Sequence, residues 1–186
     1  KKEEKCMTQR TWRELSRRER LIRFREMANS ALHAYGLADA NLTLLQYGEN
    51  VIYRVDVRTT SSSENCFPYQ PDRYSLRLHA WDEPDYIRSE MTWLEALVKD
   101  AGLPVPAPVR TVEGDLVVKV ATDNMAHGRW VTLLRWLRGR KLRQGLRSKH
   151  LASLGRLVAK LHHFSVHWHP PEEFSRPIWD WDAQLG

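Results

Sequence analysis

Apolar and polar positions change period several times along this chain, and each change marks an element. From Ser16 onward the period is helical. Leu21, Phe24, Ala28, Ala31, Leu32 and Tyr35 recur every three or four residues and supply a buried face. Thr11-Trp12-Arg13-Glu14 and Ser16-Arg17-Arg18-Glu19 both have the form of capping boxes, and the second is predicted to open this helix. Gly36 is its natural stop. The pattern then alternates. LTLLQY (42–47), VIYRVDV (51–57) and RYSLRLHA (73–80) read as strands. A tight connection, Gly48-Glu49-Asn50, joins the first two, and residues 58–72 read as an exposed polar loop. Helical period returns in DEPDYIRSEMTWLEALVKDAG, where Ile87, Met91, Leu94, Val98 and Ala101 form one stripe. This helix is predicted to open near Asp82 and Pro84 and to close at Gly102. VPAPVRT and DLVVKVA flank Glu113-Gly114 as a hairpin. RWVTLL is a further strand, running into the connector Arg135-Trp136-Leu137-Arg138-Gly139. A last helix, SKHLASLGRLVAKLHHFS, carries Leu151, Leu154, Val158 and Leu161 on one face and is ended by Pro170 and Pro171. The predicted class is α+β: an antiparallel sheet of five short strands with one helix inserted after the third, preceded by a helix and followed by the start of a helical unit.

One residue interrupts the pattern. Glu90 stands three residues after Ile87 and four before Leu94, so it shares the apolar stripe and turns inward. A buried carboxylate without a partner is costly, so a cation is expected beside it. Arg77, upstream in Tyr74-Ser75-Leu76-Arg77-Leu78, alternates with Leu76 and Leu78 and faces away from them. Its guanidinium has the fork that fits carboxylate or phosphate oxygens. The two are predicted to meet, either as a structural ion pair or as a cation held ready for phosphate groups.

Composition bounds the alternatives. The chain has 186 residues, 42% hydrophobic and 28% charged, which suits a globular protein. No apolar run approaches a membrane span, and the N-terminal KKEEKC lacks the apolar core of a signal peptide. The sequence does not begin with methionine, and it is expected to be a piece of a longer protein. Two cysteines far apart, Cys6 and Cys66, offer no disulfide framework and point to a reducing cytoplasm. The net charge of +6 is uneven: Asn124 to Pro171 holds ten Lys or Arg and no Asp or Glu. Such a stretch sets up a field that attracts nucleic acid, nucleotide phosphates or an acidic surface, or it is simply a solvated face.

Four further features carry candidate chemistry, each beside a plainer reading. The Gly48 turn brings backbone amides close enough for phosphate contact, with Asn50 bracing it, or is an ordinary hairpin turn. The connector after Leu134 is expected to leave backbone groups unpaired for a flat base, or to be an interdomain linker. His162, His163, His167 and His169 crowd together. His163 and His167 share a helix face as a zinc pair would, but no third ligand is evident, and helix-terminal histidines are common. LSRRERLIRFREMANSALHAYG has a DNA-contacting composition, yet its glutamates interleave with its arginines, and strands rather than a second helix follow.

The strings YGENVIYRVDV, YSLRLHA, IRSEMTWLEAL, AGLPVPAPVRTVEGDLVVKV, VTLLRWLRGRKL and LGRLVAKLHHFS, in this order, resemble the N-terminal part of the aminoglycoside phosphotransferase and choline kinase-like family, in the flavour of bacterial phosphotransferase enzymes and type II homoserine kinase-like proteins. The resemblance runs from about Leu42 to Gly186. It implies a protein-kinase-like fold in three parts: an N-terminal helical segment (1–40), a kinase-like N-terminal lobe (41–134), and a hinge with the start of a C-terminal lobe (135–186). It implies ATP or GTP with Mg2+ and a small-molecule hydroxyl acceptor such as an aminoglycoside, choline or a homoserine-like compound, so a nucleotide and a small molecule are the expected partners, ahead of nucleic acid, and no membrane partner is expected. By position, Gly48, Glu49 and Asn50 would form the phosphate loop. Arg77 would replace the strand lysine that holds the α- and β-phosphates, Glu90 would be its helix partner, and Leu134, Arg135, Trp136 and Leu137 would be the hinge that meets the base. Two departures stand out. Arginine is bulkier than the lysine it replaces. The family's His-Gly-Asp-like catalytic loop and later metal-binding Asp motif are absent, and Asp180 and Asp182, in Trp-Asp-Trp-Asp, are not that motif. No catalytic residue and no metal ligand is therefore assigned here, and the missing C-terminal lobe is expected to cover the apolar face of the last helix. The alternatives are a non-catalytic kinase-like interaction or nucleotide-binding module, or a basic nucleic-acid-binding protein.

Overall fold

A computed structural model describes residues 12–58, 67–121, 128–139, 145–177 and 181. Helix α1 spans Arg17–Ala34. Ser16 Oγ accepts from Glu19 N at 3.3 Å while Glu19 Oε2 accepts from Ser16 N at 2.8 Å. This reciprocal cap satisfies amides that have no partner inside the helix. Gly36, at φ 68°, turns the chain away in the left-handed region, where a side chain would be strained. Ahead of α1, Trp12–Glu14 forms a single 3-10 turn, and Thr11 of the expected first capping box lies outside the described residues.

The strands are β1 (Asn41–Tyr47), β2 (Val51–Asp56), β3 (Tyr69–Leu78), β4 (Pro108–Val109), β5 (Val118–Val120) and β6 (Arg129–Leu137). Helix α2 (Pro84–Lys99) follows β3, and α3 (Ser148–His167) follows β6. All pairings are antiparallel, in the order β1-β2-β3-β6-β4, with β5 also on β6. The expected five-stranded sheet thus has six strands among the described residues. The difference lies at the far edge of β6. There β4 meets Leu133 and Leu134 while β5 meets Arg129, Trp130 and Val131, so the two short pieces expected to pair as a hairpin lie end to end along β6.

Three expectations need correction. The loop assigned to 58–72 ends earlier: β3 already begins at Tyr69. Its register shifts between Tyr69 and Tyr74, with Asp72 at φ 56°. Such a bulge accommodates Pro71, which has no N–H for a ladder. The hairpin around Glu113-Gly114 forms only its turn, with Thr111 N donating to Asp115 O and Gly114 N to Thr111 O. Its two arms pair with β6 instead of each other. Pro104, Pro106 and Pro108 keep the first arm short, and the long β6 edge offers the partners. The connector assigned to 135–139 is largely strand: β6 continues to Leu137. Arg135 N donates to Ala107 O at 2.8 Å and Arg138 N to Pro68 O at 3.0 Å, so these backbone amides are not left open.

The sheet is covered on both faces. Leu42, Val51, Tyr53, Val55, Leu76, Leu78, Val131 and Leu133 point to α1, where Phe24, Met27, Ala28, Ala31 and Leu32 close the larger core. The alternate positions face α2, whose Ile87 and Met91 join Val117 and Leu134 in a smaller cluster. Helix α3 buries none of its residues: Leu151 is 60% exposed and Leu154 56%. It touches the rest through its C-terminal end, where Phe164 and Trp168 meet Trp93 of α2 at 5.6 and 4.6 Å.

Candidate functional site

The site is built on the α2 face of the sheet. Leu76 and Leu78 of β3 point into the larger core, so alternation turns Arg77 and His79 to the other side. On α2, Ile87 and Met91 are buried, and Glu90 lies on the same side, half-buried. Arg77 Nη1 donates to Glu90 Oε1 at 2.9 Å, with the side chains 26% and 31% exposed. The contact is therefore made at the rim of a cleft rather than in the interior. The approach of α2 is pinned by its leading loop. Arg129 Nη1 donates to the carbonyls of His79 and Ala80 at 3.0 and 2.6 Å. Asp82 accepts from Trp130 Nε1 at 2.6 Å and from Lys119 Nζ at 3.0 Å. Glu83 caps α2 without a side-chain bond, and Pro84 begins the helix, where its missing N–H costs nothing.

The cleft has a volume of about 180 Å³ and is lined by Asn50, Arg77, His79, Trp81, Glu83, Tyr86, Ile87, Glu90 and Arg176. Asn50 braces it: its Oδ1 accepts from Ala80 N at 3.0 Å, tying the β1–β2 turn to the end of β3, while Gly48 N donates to Asn50 O at 3.2 Å. His79 is buried and shares a 3.0 Å hydrogen bond between its Nε2 and Thr132 Oγ1. Burial pushes its imidazole down to about 4, Arg77 adds to the fall, and Glu90 opposes it. His79 is thus neutral at neutral pH and contributes hydrogen bonding, not charge.

Of the nine expected contact residues, Asn50, Arg77 and Glu90 come together in this cleft. Gly48 and Glu49 are exposed in the adjoining turn. Leu134 is buried in the smaller core, Arg135 lies over the Tyr69 ring at 4.6 Å, and Trp136 and Leu137 are half-buried at the end of β6. His79 and Thr132 were missed. The i+2 spacing of His79 from Arg77 is a signal the sequence does carry, whereas Thr132 faces the site only because β6 pairs with β3. A larger hollow of about 320 Å³ lies along the adjoining face of α2, but its Arg110 is already engaged bidentately by Glu95 and by Gly114 O. His163 and His167 stand 4.8 Å apart as expected of helix neighbours. Among the described residues no three His, Cys, Asp or Glu groups are placed to hold a metal.

A strand arginine meeting a carboxylate on the following helix, beside a tight turn, is the arrangement the resemblance calls for. The model of the phosphotransferase enzyme family matches residues 58–185. The chain belongs to that family. Its fold is shared with other members. A microcompartment-associated aminopropanol kinase is 32% identical, with a TM-score of 0.66 over 87% of this chain and 46% of that one. Amicoumacin kinase hAmiN, solved in complex with AMP-PNP, Ca2+ and Ami, is 19% identical, with a TM-score of 0.70 over 88% of this chain and 47% of that one. The chain spans slightly under half the length of each of these two kinases. A comparison with curated proteins gives no match. The family match begins at residue 58, ahead of β3, so β3, α2 and the Arg77–Glu90 pair lie inside it, and α1, β1 and β2 precede it.

Proposed function

We propose that this chain is the nucleotide-binding portion of an ATP- or GTP-dependent kinase that phosphorylates a hydroxyl on a small molecule. The observation that carries the reading is the 2.9 Å contact of Arg77 with Glu90 inside a cleft that Asn50 also lines. Glu90 fixes the rotamer of Arg77, so the remaining guanidinium N–H groups are presented to an anion without further ordering. In this reading the triphosphate lies between Arg77 and the Gly48-Glu49-Asn50 turn, whose exposed backbone is able to come close to phosphate oxygens. The base is directed toward residues 134–137; because Arg135 N is taken by Ala107 O, Trp136 and Leu137 are the positions expected to meet it. Mg2+ arrives with the triphosphate and offsets its charge. No carboxylate that would orient the acceptor and no group that would hold the metal is assigned among these residues, so this chain by itself is expected to bind nucleotide weakly and not to turn over. An amino alcohol, aminoglycoside, choline or homoserine-like acceptor fits the reading, and the aminopropanol kinase relationship supports the amino alcohol class. The cytoplasm suits a nucleotide-dependent enzyme, and among the described residues no helix is long and apolar enough to cross a membrane.

Calorimetry with Mg-ATP on the complete protein tests the reading. Arg77→Ala removes a charge-assisted contact and is expected to weaken binding about tenfold or more. A complete wild-type protein that binds neither ATP nor GTP overturns it.

A further inference from the structure

The segment after α3 folds back along α2. Ser175 N donates to Ser89 Oγ at 2.8 Å, and Ser89 is buried on α2 next to Glu90. Phe174 meets Trp168 edge-on at 5.0 Å, and Trp168 meets Trp93 of α2 at 4.6 Å. Docked in this way, the segment brings Arg176 to the cleft lined by Asn50, Arg77 and Glu90. Arg176 is exposed, and no ion pair or hydrogen bond joins it to another described residue.

Charge within the cleft gives this placement a consequence. Without Arg176 the lining would hold one guanidinium, Arg77, against two carboxylates, Glu83 and Glu90. That balance repels an anion, and Arg77 is already turned toward Glu90. Arg176 restores neutrality and supplies a second five-donor fork, free to engage phosphate oxygens bidentately. We propose that Arg176 is a second phosphate-holding residue of this cleft, contacting the same polyphosphate chain as Arg77. The proposal rests on the nucleotide reading above and goes beyond it by making the segment after α3 part of the binding site.

The test is calorimetry at low salt on the complete protein, with Mg-ATP, sodium tripolyphosphate and adenosine as separate probes. Arg176→Ala is expected to weaken ATP and tripolyphosphate about tenfold while leaving adenosine unchanged, and Arg176→Lys to recover part of the loss. Arg156→Ala, which removes an exposed charge from α3 outside the cleft, should alter either affinity by less than about twofold. The unliganded melting temperature of Arg176→Ala should match the wild type, because the side chain is exposed. If Arg176→Ala binds as tightly as wild type while Arg77→Ala does not, the Arg176 assignment falls and the nucleotide reading stands. An equal loss in Arg156→Ala reduces the effect to a general field and also removes the assignment. If wild type binds neither ATP nor tripolyphosphate, both fall together.

Discussion

At the scale of single residues, the site combines one ion pair with one neutral imidazole, and the two respond to different perturbations. The Arg77–Glu90 pair is only part-buried, so its contribution to folding is expected to stay below about 1 kcal/mol. Glu90→Gln should therefore shift the melting temperature little while weakening Mg-ATP several-fold, since Arg77 loses its anchor. A large loss of stability with unchanged affinity would make the pair purely structural. His79 behaves in the opposite way. Its imidazole titrates near 6.5 when unfolded and at about 4 in the fold, so between these values the unfolded chain binds the proton first. Stability contributed by neutral His79 is present above the window and is lost as pH falls through it. The loss is on the order of 3 kcal/mol for a shift of this size. Urea unfolding from pH 7 to pH 4 should show this slope in wild type and a shallower one in His79→Gln. Parallel slopes would remove His79 as the source.

At the scale of elements, the caps and the core stripe of α1 make the sharpest expectations. Ser16→Ala breaks the capping box and is expected to cost about 1 kcal/mol. Met27→Ala opens a cavity at a fully buried position between α1 and the sheet and is expected to cost about 2–5 kcal/mol. Chemical denaturation of both variants checks the ratio, and a Met27 effect smaller than the Ser16 effect would contradict the described core. The helix stops, the caps and the β1–β2 hairpin were legible because they are local: Ser16, Glu19, Gly36 and Gly102 act on backbone within a few residues of themselves. The α1 stripe was read from Leu21 and Phe24 onward without Met27, although Met27 stands three residues after Phe24 and four before Ala31 and so shares the buried face.

At the scale of the whole molecule, α1 and α2 sandwich the sheet while α3 keeps an apolar face open. Leu151, Leu154, Leu157 and Val158 remain exposed on it. Isolated as this 186-residue chain, the protein is expected to self-associate through that face. Leu154→Glu should reduce the sedimentation coefficient seen at high concentration, and an unchanged value would show that the face is not adhesive. The basic stretch is also partly accounted for at this scale: Arg129 holds two carbonyls and Arg135 stacks on Tyr69, so neither is spare for a nucleic acid.

The periods of the chain were enough to place α1, β1, β2 and α2 and to put Glu90 on the side of α2 that Arg77 meets, because strand alternation and helix stacking act over short distances that residue order alone specifies. Pairing across the chain was different. That β4 and β5 both attach to β6, that β6 continues through residues 135–137, and that the stretch after α3 returns to Ser89 depend on which edges and side chains meet after folding. Competing edges, prolines and aromatic contacts far apart in sequence decide those outcomes, and only the assembled fold brings them within reach of one another.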